Sequence, residues 1–169
     1  RCPVFLASNK EIGMTRESID LAAVEKPPVI NRTVAIDREN FLPFHISNGQ
    51  IVPYFLPIGD SVPVRQTSST HGVDGYITTD SNEIASFQQR LYDKLHTTVD
   101  RYSYFEIDDQ DASTLLITYG VTAQAAKNAC RACNRQGVPV SLLILKTLWP
   151  VPESLIRRTA GVAKRVVVV

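Results

Sequence analysis

Apolar residues fall into three rhythms along this chain, and each predicts a different kind of element. From Leu115 onward, short continuous apolar runs alternate with stretches of helical spacing. Leu115 to Tyr119 predicts a buried strand. Gly120 lets the chain turn, Thr122 is the expected N-cap, and the Ala-rich stretch Ala123 to Gln136 predicts a helix that stops at Gly137. Pro139 to Leu145 predicts a second strand. Trp149-Pro150 breaks the chain; Pro152 at a first helical position, Glu153 in the first turn and Arg157 four residues later predict a second helix to about Ala163. Val166 to Val169 predicts a third strand. Strands alternating with helices at this spacing imply right-handed crossovers and a parallel sheet, so the fold class is α/β.

A second rhythm precedes it. Asp80 is placed to cap a helix with Glu83 as its capping-box partner, and Ile84, Phe87, Leu91 and Leu95 recur at helical spacing over about 81–98. Tyr102 to Ile107 has the composition of a strand, and the acidic run Asp108 to Asp111 marks a boundary. Between Asp20 and Thr79 neither rhythm survives. Six of the ten prolines lie between Pro27 and Pro63, and the turn signals Ser47-Asn-Gly49 and Pro57-Ile-Gly59 recur. So long an irregular stretch predicts a connector draped over a surface or clamping two domains, anchored by Phe41, Phe44, Tyr54 and Phe55. The third pattern is the apolar run Pro3 to Ser8, which has the signature of a buried parallel strand with no neighbour in the residues that follow. The expected division is therefore 1–19, the last strand and tail of one domain; 20–108, an interdomain connector; and 109–169, an α/β domain. Strands at both ends suggest a fragment of a larger protein.

Composition narrows the class. The 169 residues are 44% hydrophobic and 21% charged, the balance of a folded globular chain rather than a disordered one. The apolar runs fall well short of the roughly 18 residues that a spanning helix needs, so no membrane partner is expected. The net charge of +1 hides an asymmetry: from Tyr119 onward there are eight basic residues and one acid, against ten bases and sixteen acids before it. The bases lie along helical stretches without interleaved aromatics, which favours a fit between parts or a subunit contact over nucleic acid. Three cysteines, an odd number, point to reduced thiols in a cytoplasmic setting rather than a disulfide framework.

Candidate chemistry is sparse. Cys130-Arg-Ala-Cys133 has thiol-redox spacing, but it lies two turns into a helix and on the stripe of Ala126 and Ala129, where burial as small hydrophobes is expected. Gly120-Val-Thr122, between strand and helix, is an alternative phosphate-binding junction without a Gly-rich motif. Cys2, His45, His71 and His96 lack the paired spacing of a structural zinc site, and no metal is expected. No nucleophile, base and acid stand at a recognisable spacing. Ser69-Thr-His71-Gly-Val-Asp74-Gly75-Tyr76 holds a histidine and an aspartate between glycines, which suggests an ordered turn carrying a surface histidine or a ligand or subunit contact.

Leu145-Lys-Thr-Leu-Trp-Pro-Val-Pro-Glu153, with Tyr119-Gly-Val-Thr-Ala123 upstream of it, resembles the transketolase C-terminal-like domain of the α subunit of 2-oxoacid:ferredoxin (acceptor) oxidoreductases. Ser69-Thr-His71 with Gly75-Tyr76 resembles that subunit's connector, and Pro3-Val-Phe-Leu its pyrimidine-binding domain. The resemblance implies a three-layer parallel sheet, truncated, behind a long irregular connector. It implies a part in coenzyme A-dependent oxidative decarboxylation of a 2-oxoacid, with thiamine diphosphate, Mg and iron-sulfur clusters held elsewhere in the whole enzyme. The implied partners are the β subunit, γ and δ subunits where present, and ferredoxin through the whole complex. The chain alone is then expected to be inactive, serving packing and assembly. His71, Lys146, Thr147 and Trp149 are the residues carried over as ligand or subunit contacts. The acidic pair that follows the family's histidine is Gly72-Val73-Asp74 here, so no role passes to those positions.

Overall fold

The computed structural model describes residues 2–16, 18–47 and 50–169. In chain order the elements are α1 (Lys10–Met14), α2 (Ser81–His96), α3 (Val99–Tyr102), β1 (Phe105–Asp108), β2 (Thr114–Tyr119), α4 (Thr122–Arg135), β3 (Ser141–Leu145), α5 (Glu153–Ala160) and β4 (Arg165–Val168), with a short 3-10 turn at Leu21–Ala23. The chain divides into two compact units. One contains Ile19–Lys94, and the other contains Pro3–Ser18 and Leu95–Val169.

The second unit is built on a four-stranded sheet in the order β1-β3-β2-β4. β3 and β4 each pair parallel to β2, as the alternation of elements predicts. Their leucines divide between two faces. Leu115, Ile117 and Leu143 pack with Leu155 of α5. Leu142 and Ile144 pack with Ala126 and Cys130 of α4. The layers are therefore helix, sheet, helix. The cause lies in the crossovers: β2 to β3 steps one way across the sheet and β3 to β4 steps back past β2. Two right-handed crossovers in opposite directions must place their helices on opposite faces. Burying each leucine contributes about 1.5–3 kcal/mol.

The helix ends follow their sequence signals with three differences, one of them that Pro152 precedes α5 as its N-cap and the helix stops at Ala160. Gly137 takes a left-handed φ of 77° after α4, and Val138 N–H reaches back to the Cys133 carbonyl at 3.0 Å. Thr122 is the first helical residue of α4 rather than its cap. Its hydroxyl donates to the Tyr119 carbonyl at 2.7 Å, while Thr118 Oγ1 lies 2.8 Å away. Asp80 caps α2 as expected, its Oδ1 accepting from the amides of Asn82 and Glu83 at 2.9 Å each. The reciprocal capping-box bond is absent among the described contacts, because Asp80 N–H donates to Thr78 Oγ1 instead.

The structure differs in detail from the sequence reading at three places. Residues 3–9 form no strand and lie largely exposed, with Phe5 at 91%, because no strand lies alongside to take their backbone bonds. The boundary expected at 108 falls inside the second unit: β1 is a strand of its sheet, pairing antiparallel with β3 in the register Glu106 to Ile144. The sheet is thus mixed, since β1 enters from the opposite end. Its charged positions, Glu106 and Asp108, alternating with Phe105 and Ile107, are those of an edge strand rather than a central one.

The first unit is largely irregular, as its prolines predict. Its small core holds Leu56 and Ala35, and a parallel bridge joins Val34 to Phe55. Phe44 stacks on His71, Arg32 lies over the Phe55 ring at 3.3 Å, and Tyr54 Oη accepts from Gln50 Nε2. Asn48 and Gly49, on which one turn was expected, lie outside the described residues.

Leu143, with no exposed surface, stands at the centre of the sheet. Leu143→Ala should cost about 3 kcal/mol of unfolding free energy by denaturant titration, the scale of a core cavity. Gly75→Ala should also destabilise, because its φ is 84° and an added Cβ would collide with the Arg65 carbonyl.

Candidate functional site

The opposed helices create a definite place on the sheet. β2 and β3 are parallel neighbours, with Tyr119 beside Leu145 at their carboxyl ends. The chain leaves β2 for one face and β3 for the other, and it is at such a divergence that open α/β sheets place their functional residues. One loop holds Gly120, with φ at 61°. The other is Lys146 to Pro152, which contains three of the four residues carried over from the sequence.

That loop is stitched to the segment leading into β1. Lys146 N–H and Thr147 N–H both donate to the Tyr104 carbonyl, at 2.9 and 3.1 Å. Thr147 Oγ1 accepts from Tyr104 N–H at 2.9 Å and donates to the Tyr102 carbonyl at 3.3 Å. Trp149 meets the His96 ring edge to face, at 6.2 Å between centroids. Ser154 Oγ, in α5, donates to Asp100 Oδ1 of α3 at 2.5 Å. Thr147 is therefore occupied within the fold, whereas Trp149 keeps 68% of its surface exposed.

Glu106 completes the stitch. Its Oε2 lies 2.6 Å from Lys127 Nζ of α4, and its Oε1 lies 2.6 Å from Lys146 Nζ. One carboxylate thus ties the edge strand to a covering helix and to the exit loop. The hydrogen bond from Lys127, then that from Lys146, and their charges hold the Glu106 carboxyl down at about 2. Beside this clamp, Glu106, Asp108, Lys127, Arg131, Leu142 and Ile144 line an open pocket of about 190 Å³.

His71 lies in the first unit and is buried rather than a surface histidine. It pairs across a narrow turn with Ile77, stacks on Phe44 at 3.8 Å and meets Phe87 edge to face at 4.7 Å. Its Nδ1 lies 3.1 Å from the Gly72 carbonyl. Glu83 presses on Gly72 closely enough that an added Cβ would lie 2.8 Å from its Oε1, which gives Gly72 a packing reason.

The two alternative chemistries find little support. Cys130 is buried, and burial first, then Cys133 and Asp108, pushes its thiol up, the opposite of what a reactive thiolate requires. At Gly120 to Thr122, the Gly120 and Val121 carbonyls close a helical turn with the amides of Ala123 and Gln124, and the Thr122 hydroxyl is committed to the Tyr119 carbonyl. Among the described residues, no three His, Cys, Asp or Glu side chains gather as a metal site. Three cysteines in the whole chain are also fewer than the four thiolates an iron-sulfur cluster takes.

Glu106, Lys127 and Tyr104 were not singled out from the sequence. Glu106 meets its partners across separations of 21 residues to Lys127 and, through β1–β3 pairing, to the far end of β3. Its one local signal is its place in an alternating apolar and acidic run.

Comparison with known proteins gives these contacts a setting. Residues 112–169 match the family described as pyruvate:ferredoxin oxidoreductase core domain II. The chain is 26% identical to the 2-oxoglutarate synthase subunit KorA of Methanocaldococcus jannaschii, over 99% of this chain and 44% of that protein. It is 29% identical to the KorA subunit of Methanothermobacter thermautotrophicus, over 100% of this chain and 45% of that one. The chain thus spans less than half the length of these relatives. A solved structure of the 2-oxoglutarate:ferredoxin oxidoreductase from Magnetococcus marinus, with 2-oxoglutarate, coenzyme A and succinyl-CoA bound, shares the fold at a TM-score of 0.72. It is 21% identical and covers 83% of this chain and 25% of that one. The resemblance to subunits of 2-oxoacid:ferredoxin oxidoreductases is borne out along nearly the whole chain.

The folded-state pKa of Glu106 is depressed from 4.5 to about 2, so the clamp should contribute stability fully above the ordinary value and lose it as pH falls through about 2. Carboxyl NMR titration should find this group still ionised at pH 3, and Glu106→Gln should flatten the acid limb of the stability profile.

Proposed function

We propose that this chain is a segment of the α-type subunit of a 2-oxoacid:ferredoxin oxidoreductase, and that its α/β unit serves domain packing and subunit assembly. The match of residues 112–169 to the oxidoreductase core domain carries this reading. The loop Lys146 to Pro152 presents Trp149 to a neighbouring subunit of the complex. An exposed tryptophan on a loop pinned by backbone hydrogen bonds is the kind of rigid aromatic anchor on which interfaces depend. His71 seats the turn of the first unit between Phe44 and Phe87.

In the whole enzyme, bound thiamine diphosphate with Mg would stabilise the carbanion left by decarboxylation, while iron-sulfur clusters carry electrons to ferredoxin and coenzyme A accepts the acyl group. These groups would be held by the remainder of the subunit and by its β and, where present, γ and δ partners. The sheet described here braces that machinery. The names of the first-matched relatives favour 2-oxoglutarate as the 2-oxoacid. A cytoplasmic setting suits the free thiols, and no helix among the described residues is long and apolar enough to cross a membrane.

The test is co-expression of the full-length subunit with its companion subunits, followed by 2-oxoacid-dependent reduction of a viologen dye in the presence of coenzyme A. Turnover with 2-oxoglutarate well above that with pyruvate is expected; turnover with neither would overturn the assignment. Trp149→Ala should weaken subunit association about tenfold or more, as truncating an interfacial anchor does. Association at the level of the unaltered complex would remove the loop from the interface.

A further inference from the structure

We propose that Glu106 is a positioning residue for the assembly loop, holding Lys146, and through it the exit from β3, in the conformation that presents Trp149. The inference rests on the reading of that loop as a subunit contact and adds the residue that sets its geometry.

Three observations converge on Glu106. First, its carboxylate is shared between two cations on separate elements, Lys127 of α4 and Lys146 of the loop, at 2.6 Å each. A single acid therefore links the loop both to the edge strand and to α4. Second, it stands on β1 directly opposite Ile144 and two residues past Tyr104, whose carbonyl receives the Lys146 and Thr147 amides. The loop is thus gripped twice, by main chain at Tyr104 just before β1 and by side chain at Glu106 within it. Third, the hydrogen bonds and charges of the two lysines hold the carboxyl down at about 2, as expected of an acid engaged by both at once. The side chains of Glu106 and Lys146 keep 43% and 53% of their surface, so the clamp can be broken without leaving a charge buried. A purely structural ion pair at such exposure contributes little to folding. Its consequence is local, on the loop it holds.

The other charged groups around the clamp do not compete for Glu106. Asp108 Oδ1 accepts from Gln110 Nε2, and Arg131 makes no ion pair among the described residues. Of the two acids on β1, it is Glu106 that pairs with lysines of the basic last third of the chain.

The experiment uses the full-length subunit co-expressed with its companions, bearing Glu106→Gln, Glu106→Asp, Lys146→Met or Trp149→Ala. Hydrogen exchange is followed at the Lys146 and Thr147 amides, and association by dilution of the complex. Glu106→Gln should speed exchange at both amides and weaken association about fivefold, the scale that two half-exposed ion pairs supply. Glu106→Asp, which keeps the charge, should recover most of both effects. Lys146→Met should reproduce the loss and serves if Glu106→Gln fails to fold. Unchanged exchange in Glu106→Gln, faster exchange with unchanged association while Trp149→Ala still weakens it, or no recovery by Asp would each overturn the positioning role. If Trp149→Ala leaves association untouched, it is the loop's place in the interface that fails, and the exchange rates alone then judge Glu106.

Discussion

The division of alternate leucines between two helix-covered faces governs the rest of the structure. Leu143 serves one face of β3 and Leu142 and Ile144 the other. Neither set can be buried unless helices lie on both sides, and a chain restricted to right-handed crossovers meets that demand by stepping from β2 first one way and then the other. The divergence of the chain at the exits of β2 and β3 is a by-product of this packing. Function can gather there because the backbone has been steered apart, whatever the side chains are.

The loop leaving β3 differs from a ligand site in one respect: its polar groups are directed at the segment around β1. Thr147 spends its hydroxyl on the backbone of residues 102 and 104, and Lys146 gives its charge to Glu106. Such a loop is preorganised, and a preorganised loop loses less freedom on association than a mobile one. Trp149, pinned at one edge by His96 and otherwise exposed, is the part left to face outward. Similarity to oxidoreductase subunits more than twice this chain's length fits a segment whose work is done in contact with other parts.

Much of the α/β unit was legible in the sequence, because continuous apolar runs and the Gly137 stop are local signals that the physics of parallel strands makes strong. The run Pro3 to Leu6 carries the same signal and forms no strand, since apolar character cannot supply the neighbour that a strand's backbone requires. β1 was half legible: its strand character was visible, its place in the sheet was not, because antiparallel entry depends on a chain reversal that periodicity does not encode. Lys146, Thr147 and Trp149 were singled out through a motif, whereas the residues they touch, Glu106, Tyr104 and His96, belong to no motif. His71 was visible as an oddity between glycines, but its burial depends on Phe44 and Phe87, which lie on either side of it in sequence and offer no spacing rule.

The central claim is that the loop after β3 faces another subunit of the assembled enzyme. Its most direct test is a photo-crosslinking residue in place of Trp149 in the intact complex, followed by mass spectrometric identification of what it captures. The account predicts a dominant crosslink to a different subunit; crosslinks confined to the same chain would contradict it.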